Sequence, residues 1–136
     1  MVTEQNKTIV RRFNKEFIEG GNMDSFNELI APDFFNHTAP PGSSTGPEGV
    51  VYFFNHLLKP SFSNFRVEIY DQVAEGDKVT TRKAFHAKHT AEFFGVPACN
   101  RDVIMNVIDI IRLEEGKFRD HWGILDMQGL MAQLTQ

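Results

Sequence analysis

A chain of 136 residues, 41% of them hydrophobic, with a formal net charge of −4, has the size and balance of one globular domain. The charge and the lack of a basic cluster argue against nucleic acid as a partner, and the apolar runs are far shorter than the ~20 residues that span a bilayer. The single cysteine, Cys99, excludes an internal disulfide, and Met1 to Lys7 has no signal-peptide character, so a reducing, cytoplasmic location away from membranes is expected.

Thirteen phenylalanines, against one tryptophan and two tyrosines, make a core that either encloses an apolar cavity or simply packs densely. Ile9, Val10, Phe13 and Phe17 recur at helical spacing, so a helix is expected over 4–19, stopped by Gly20-Gly21. Asn22 caps a second short helix with Phe26, Leu29 and Ile30 inward and Pro32 as its terminator. Asp33 to His37 suits a strand or a loop, and Thr38 to Ser44 is a loop rich in proline and glycine. Thr45-Gly46-Pro47-Glu48 reads as a capping box opening a third helix, whose face is Val50, Phe53, Phe54, Leu57 and Leu58.

Beyond Pro60 the period changes to two. Phe65 to Ala74 and Lys78 to Thr90 read as strands joined by a turn at Glu75-Gly76-Asp77. After a connection over 91–101, Val103 to Leu113 and Lys117 to Leu125 form a second hairpin about Glu115-Gly116, and 126–134 closes the chain. Helices followed by an antiparallel meander define an α+β domain spanning 1–136.

Asp109 and Asp126 stand in these strands where aliphatic side chains are usual, and a buried carboxylate costs several kcal/mol unless paired. Symmetrical pairing about each connection sets Asp71 opposite Arg82, Arg82 opposite Asp109, His86 opposite Met105, Asp109 opposite Trp122 and Met105 opposite Asp126. Val67, Ile69, Asp71, Val73, Arg82, Ala84, His86, Met105, Val107, Asp109, Ile111, Trp122, Ile124 and Asp126 then share the face that the helices cover. Phe85, Ile108, Ile110, His121 and Leu125 fall on the reverse, whose apolar middle suggests a homodimer. Arg82, His86, Asp109 and Asp126 converging beside Trp122 suit a small-molecule pocket. The same residues also permit plainer roles: an Arg82–Asp109 ion pair, Asp126 as a helix cap, and His86 as a core histidine.

Phe35-Asn36-His37, Gly46-Pro47-Glu48-Gly49-Val50, Ala74-Glu75-Gly76-Asp77-Lys78-Val79, Ile108-Asp109-Ile110, Glu115-Gly116-Lys117 and His121-Trp122-Gly123-Ile124-Leu125-Asp126 resemble, in order and spacing, the SnoaL-like polyketide cyclase (ester cyclase) family. The likeness extends to Gly21-Asn22-Met23-Asp24 and Gly129-Leu130. It implies the cone of the nuclear-transport-factor-2-like superfamily: N-terminal helices in the concave face of a curved antiparallel sheet, with a deep pocket, usually dimeric. It further implies intramolecular aldol closure of an aromatic polyketide ester, without metal or cofactor. An aspartate in the last strand is the family's general acid/base, and Asp126 matches that motif.

His37 matches a pocket histidine of the family, while Met105 and Val107 put no polar group on their strand. The expected site is thus Asp126 and Asp109 as catalytic groups, with His37, Arg82, His86, Met105 and Trp122 against a small apolar or aromatic substrate. Two other readings stay open: a cone-fold hydrolase or isomerase using Asp109 and Arg82, and an apolar-ligand binding module without chemistry. The five histidines have no ligand-like spacing with each other or with Cys99, so no metal site is expected.

Overall fold

The computed structural model describes residues 2–136. Helix α1 (Val2–Phe13) buries Val10 and Phe13 and continues directly into a π-helical turn, Asn14–Glu19, that buries Phe17 and Ile18. Gly21, at φ 70°, reverses the chain and donates its N–H to the Phe17 carbonyl at 2.8 Å. The Asn22 side chain then caps α2 (Met23–Leu29) by accepting from the backbone N–H groups of Asp24 and Ser25.

The second helix ends sooner than expected, because the chain turns extended at Ile30 and enters β1 (Ile30–Asn36). Pro32 lies within that strand, which an edge position tolerates. Helix α3 (Pro47–Tyr52) also continues as a π-helical turn, Phe53–Leu58. Its cap is Gly46 rather than Thr45, and Ser44 makes the hydrogen bond to Glu48. Strands β2 (Phe62–Glu75), β3 (Lys78–His89), β4 (Asp102–Glu114) and β5 (Lys117–Leu125) lead to a closing helix, α4 (Met127–Leu134).

The curved, open sheet has the order β1-β5-β4-β3-β2, antiparallel throughout except for the parallel β1–β5 edge. Helices α1 and α3 fill its concave side. There Phe13 packs on Phe118 at 4.6 Å and on Phe17 at 5.3 Å between ring centres, and Phe17 packs on Phe26 at 4.7 Å. This gives the Phe-rich composition a place in the core, at the base of a cavity described below.

Register decides which side chains reach that cavity. Near the β2–β3 turn Asp71 faces Arg82 as expected, but Tyr70 is an extra residue, so Ile69 and Val67 turn inward while Asp71 and Val73 point out. The β3–β4 connection is centred on Gly95, pairing Arg82 with Ile108 and Lys83 with Val107. Odd residues of β3 therefore face the helices, which places Lys83 and Phe85 inside and corrects the inward assignment of Arg82, Ala84 and His86. On β4 the inward set Met105, Val107, Asp109 and Ile111 is as expected.

In β5 the turn-based register holds for Glu114–Lys117 and Leu113–Phe118, after which the extra residue Arg119 flips the strand. His121, Gly123 and Leu125 thus face inward, and Trp122 and Ile124 face outward, the reverse of the expectation. Among the described residues no helix is long and apolar enough to cross a membrane.

Candidate active site

Between the helices and the concave sheet lies a cavity of about 270 Å³. Phe13, Ile18, Phe34, Phe53, Phe54, Leu57, Phe85 and Ile111 make much of its wall; Asn14, Asn36, Thr38, Lys83, Asp109 and His121 are polar, as are Ser43, Ser44 and Tyr52 nearer the 38–44 loop and α3. Both π-helical turns border it, through Asn14 and Ile18 on one side and Phe53, Phe54 and Leu57 on the other. Turns of that kind recur where a helix must re-aim side chains at a functional site.

The Lys83 ammonium, 3% exposed, lies 2.9 Å from Asp109 Oδ2 and donates to Asn14 Oδ1 at 2.8 Å. Asn14 in turn donates Nδ2–H to the Val10 carbonyl at 2.9 Å, so its oxygen is fixed towards the lysine. Asp109 Oδ1 is buried and has no hydrogen-bond partner among the described residues. Burial pushes the Asp109 carboxyl up, but the Lys83 ammonium above all, joined by His121 when its ring is an imidazolium, outweighs it and holds the group below its ordinary range.

His121 completes the group, with Nε2 3.8 Å from Asp109 Oδ2 and Nδ1 2.7 Å from Asn36 Oδ1. The network assigns the tautomer. Asn36 Oδ1 accepts from the Thr38 backbone N–H at 3.1 Å and from the Thr38 hydroxyl at 3.2 Å, so this oxygen faces the imidazole. Nδ1 must therefore carry the proton of a neutral ring, leaving the Nε2 lone pair beside Asp109. Thr38 also accepts from the Gly123 N–H at 2.9 Å, tying the 38–44 loop to β5 at the cavity.

Of the residues expected at the site, Asp109 alone lines this cavity. Met105 is wholly buried in the core beside it. Arg82 lies on the convex face, paired with Asp71 at 3.1 and 3.2 Å, so the expected Arg82–Asp109 bridge is not formed and Lys83 takes its place. His86 is also on that face, 2.8 Å from Glu68.

Trp122 stacks outside on His37 with ring centres 4.6 Å apart, and His37 Nε2 lies 2.8 Å from Asp120. Asp126 is exposed one residue past β5, where Oδ1 accepts from the Gly129 N–H at 2.8 Å and caps α4. It borders an open groove on the convex side, with Trp122 and Ile108, and does not line the concave cavity. The last strand thus offers the cavity an imidazole and no carboxylate.

Sequence reasoning missed Lys83, His121, Asn14 and Asn36. For Lys83 a signal exists: Val79, Phe85 and Ala87 give the odd positions of β3 the more apolar parity. Among the described residues no group of three or more His, Cys, Asp and Glu is placed to hold a metal ion.

Comparison with known proteins agrees with this architecture. The family model described as SnoaL-like polyketide cyclase matches residues 8–134. A nogalonic acid methyl ester cyclase from Streptomyces nogalater is 27% identical over 115 residues, 84% of this chain and 86% of its own. An aklanonic acid methyl ester cyclase from Streptomyces peucetius is 26% identical over 130 residues, 94% and 89% of the two chains. The crystal structure of wild-type IdmH from Streptomyces antibioticus superimposes with a TM-score of 0.87 at 30% identity, covering 97% of this chain and 99% of that one.

Proposed function

We propose, for a chain that belongs to the SnoaL-like polyketide cyclase family, that the concave cavity closes a ring in a small aromatic polyketide ester by an intramolecular aldol step. One observation carries the choice of residues: a buried carboxylate with an oxygen unpartnered among the described residues stands beside an imidazole of assigned tautomer in a largely apolar cavity. Aldol closure needs a base for a C–H α to a carbonyl and a donor for the oxygen that becomes an enolate.

His121 Nε2 is the base. Asp109, held ionised by Lys83, is a poor base itself but stabilises the imidazolium that His121 becomes. The Lys83 ammonium uses two donors, on Asp109 and Asn14, and keeps a third for the enolate oxygen. The enolate carbon attacks the second carbonyl, one C–C bond forms, and the alkoxide recovers the proton from His121. No cofactor enters these steps, and Asp109 Oδ1 is left to accept from a substrate hydroxyl. Asp126, exposed and capping α4, is not part of this chemistry, and a hydrolase or isomerase built on an Arg82–Asp109 pair loses its geometric basis.

The test is turnover of aromatic polyketide methyl esters such as those the relatives are named for. His121→Ala should lower kcat by roughly 10²–10⁴-fold while the substrate still binds. Unchanged turnover would remove His121 from the mechanism.

The convex face supports a further reading, that two copies pack sheet against sheet. Ile108, Ile110, Trp122 and Ile124 pair across its middle, with Ile108 53% and Ile124 76% exposed. Face-to-face sheet packing requires an apolar surface on both partners, and a second copy supplies the same one.

A further inference from the structure

Inward positions on β5 run His121, Gly123, Leu125, and the middle one has no side chain. Glycine inside a strand weakens it and marks close approach by something else. Gly123 is not among the positive-φ residues, so the backbone itself does not call for glycine. The space above it does. A Cβ built there would lie 2.8 Å from Nε2 and 2.9 Å from Cε1 of His121, and 3.0 Å from Cβ of Asp109. The imidazole occupies the volume that any other side chain at this position would need.

We propose that Gly123 is a positioning residue, whose missing side chain lets the His121 ring fold back along its own strand to reach Asp109. Two contacts then hold the ring, Asn36 at Nδ1 and the hollow over Gly123 at the other end. The Gly123 N–H donates to Thr38 Oγ1, and an alanine would keep that donor, so Gly123→Ala changes only the occupied volume. The consequence for turnover rests on the reading of His121 as the base; the geometry does not, and can be tested without substrate.

In the wild-type protein, nuclear Overhauser contacts should connect the His121 ring Cε1–H to the Asp109 Cβ protons and to the Gly123 Cα protons. In Gly123→Ala the contact to Asp109 should disappear, and its persistence would overturn the proposal. With a substrate, Gly123→Ala should lower kcat roughly tenfold to a hundredfold, the scale of a 1 Å misplacement. In a His121→Ala background the same change should have no further effect, because the glycine acts through the imidazole. Independent, multiplicative losses would overturn the proposal. Loss of the contact with turnover intact would uphold the positioning role and count instead against His121 as the base. Should Gly123→Ala fail to fold, Gly123→Ala/His121→Ala decides: recovery of the fold supports the proposal, since the clashing ring is gone. Continued failure would assign the glycine to the close approach of Asp109 and overturn it.

Discussion

The sheet carries an acid–base pair on each face, and the two cations, Lys83 within and Arg82 outside, are neighbours on β3. On the concave face Lys83 and Asp109 are 3% and 7% exposed; on the convex face Arg82 and Asp71 are 53% and 59% exposed. Their separations are similar, 2.9 and 3.1 Å, so distance does not distinguish them. Solvent does. The outer pair exchanges contact with water for contact with each other, a trade worth about 0–1 kcal/mol. The inner pair has given up its hydration, and each charge depends on the other and on Asn14 and His121 for compensation. Chemistry belongs on the side where charges interact without screening, and strand parity selects that side.

Deleting one carboxylate from each face should separate them most widely. Asp109→Asn leaves the buried Lys83 ammonium uncompensated and should cost roughly 3–5 kcal/mol in denaturant unfolding. Asp71→Asn should cost less than about 1 kcal/mol. Equal losses would mean that the concave pair is hydrated. The acid limb sharpens the contrast. Folded Asp109 titrates below its unfolded value of about 3.9, so its contribution is complete above that value and drains away as pH falls towards the folded one. Wild-type stability should therefore fall on acidification from about pH 5, and Asp109→Asn should lack that share of the loss.

A second way to probe the comparison is to charge the outer face without touching the inner one. Ile108→Lys adds an ammonium at a residue 53% exposed, next to Ile124 and Arg82 in the sheet. Light scattering should give twice the chain mass for the wild type and the chain mass for the variant, with folding retained. A monomeric wild type at high concentration would leave the convex face without its proposed occupant.

Much of this division could be read from the sequence, and the unread part has one physical cause. Helix spacing, the Gly-containing turns and the inward parity of β4 were all legible, and with them the burial of Asp109. Strand pairing inferred from turns is accurate beside the turn: Asp71–Arg82 and Leu113–Phe118 are both as expected. It fails past an extra residue, because side-chain period is two and one insertion moves every later residue to the other face. Arg119 is such a residue, and it exchanged His121 for Trp122. The β3–β4 connection, centred on Gly95, exchanged Lys83 for Arg82 in the same way. Arg119 has no side-chain signature that announces its shift, whereas on β3 the apolar parity of Val79, Phe85 and Ala87 opposes the turn-based pairing; the site was found at one residue and misassigned at its neighbours.

The smallest effect falls on the carboxylate that the family motif brings forward. Asp126 Oδ1 satisfies the Gly129 N–H at the start of α4, a backbone donor without an intrahelical partner. Asparagine can accept the same bond with its side-chain oxygen, and the two residues are nearly equivalent as caps. Asp126→Asn should therefore leave both melting temperature and kcat close to wild type. Asp126→Ala removes the acceptor and should cost about 1 kcal/mol of stability, still with turnover retained once the protein is held folded. A general base behaves the other way, since an amide keeps the shape of the carboxylate but cannot take up a proton. Loss of more than about nine-tenths of kcat in Asp126→Asn, without loss of stability, would move the chemistry from the concave cavity to the convex groove. That result would require the convex groove, open to solvent and bordered by Trp122 and Ile108, to be enclosed by something else, which a second copy packed on that face could supply.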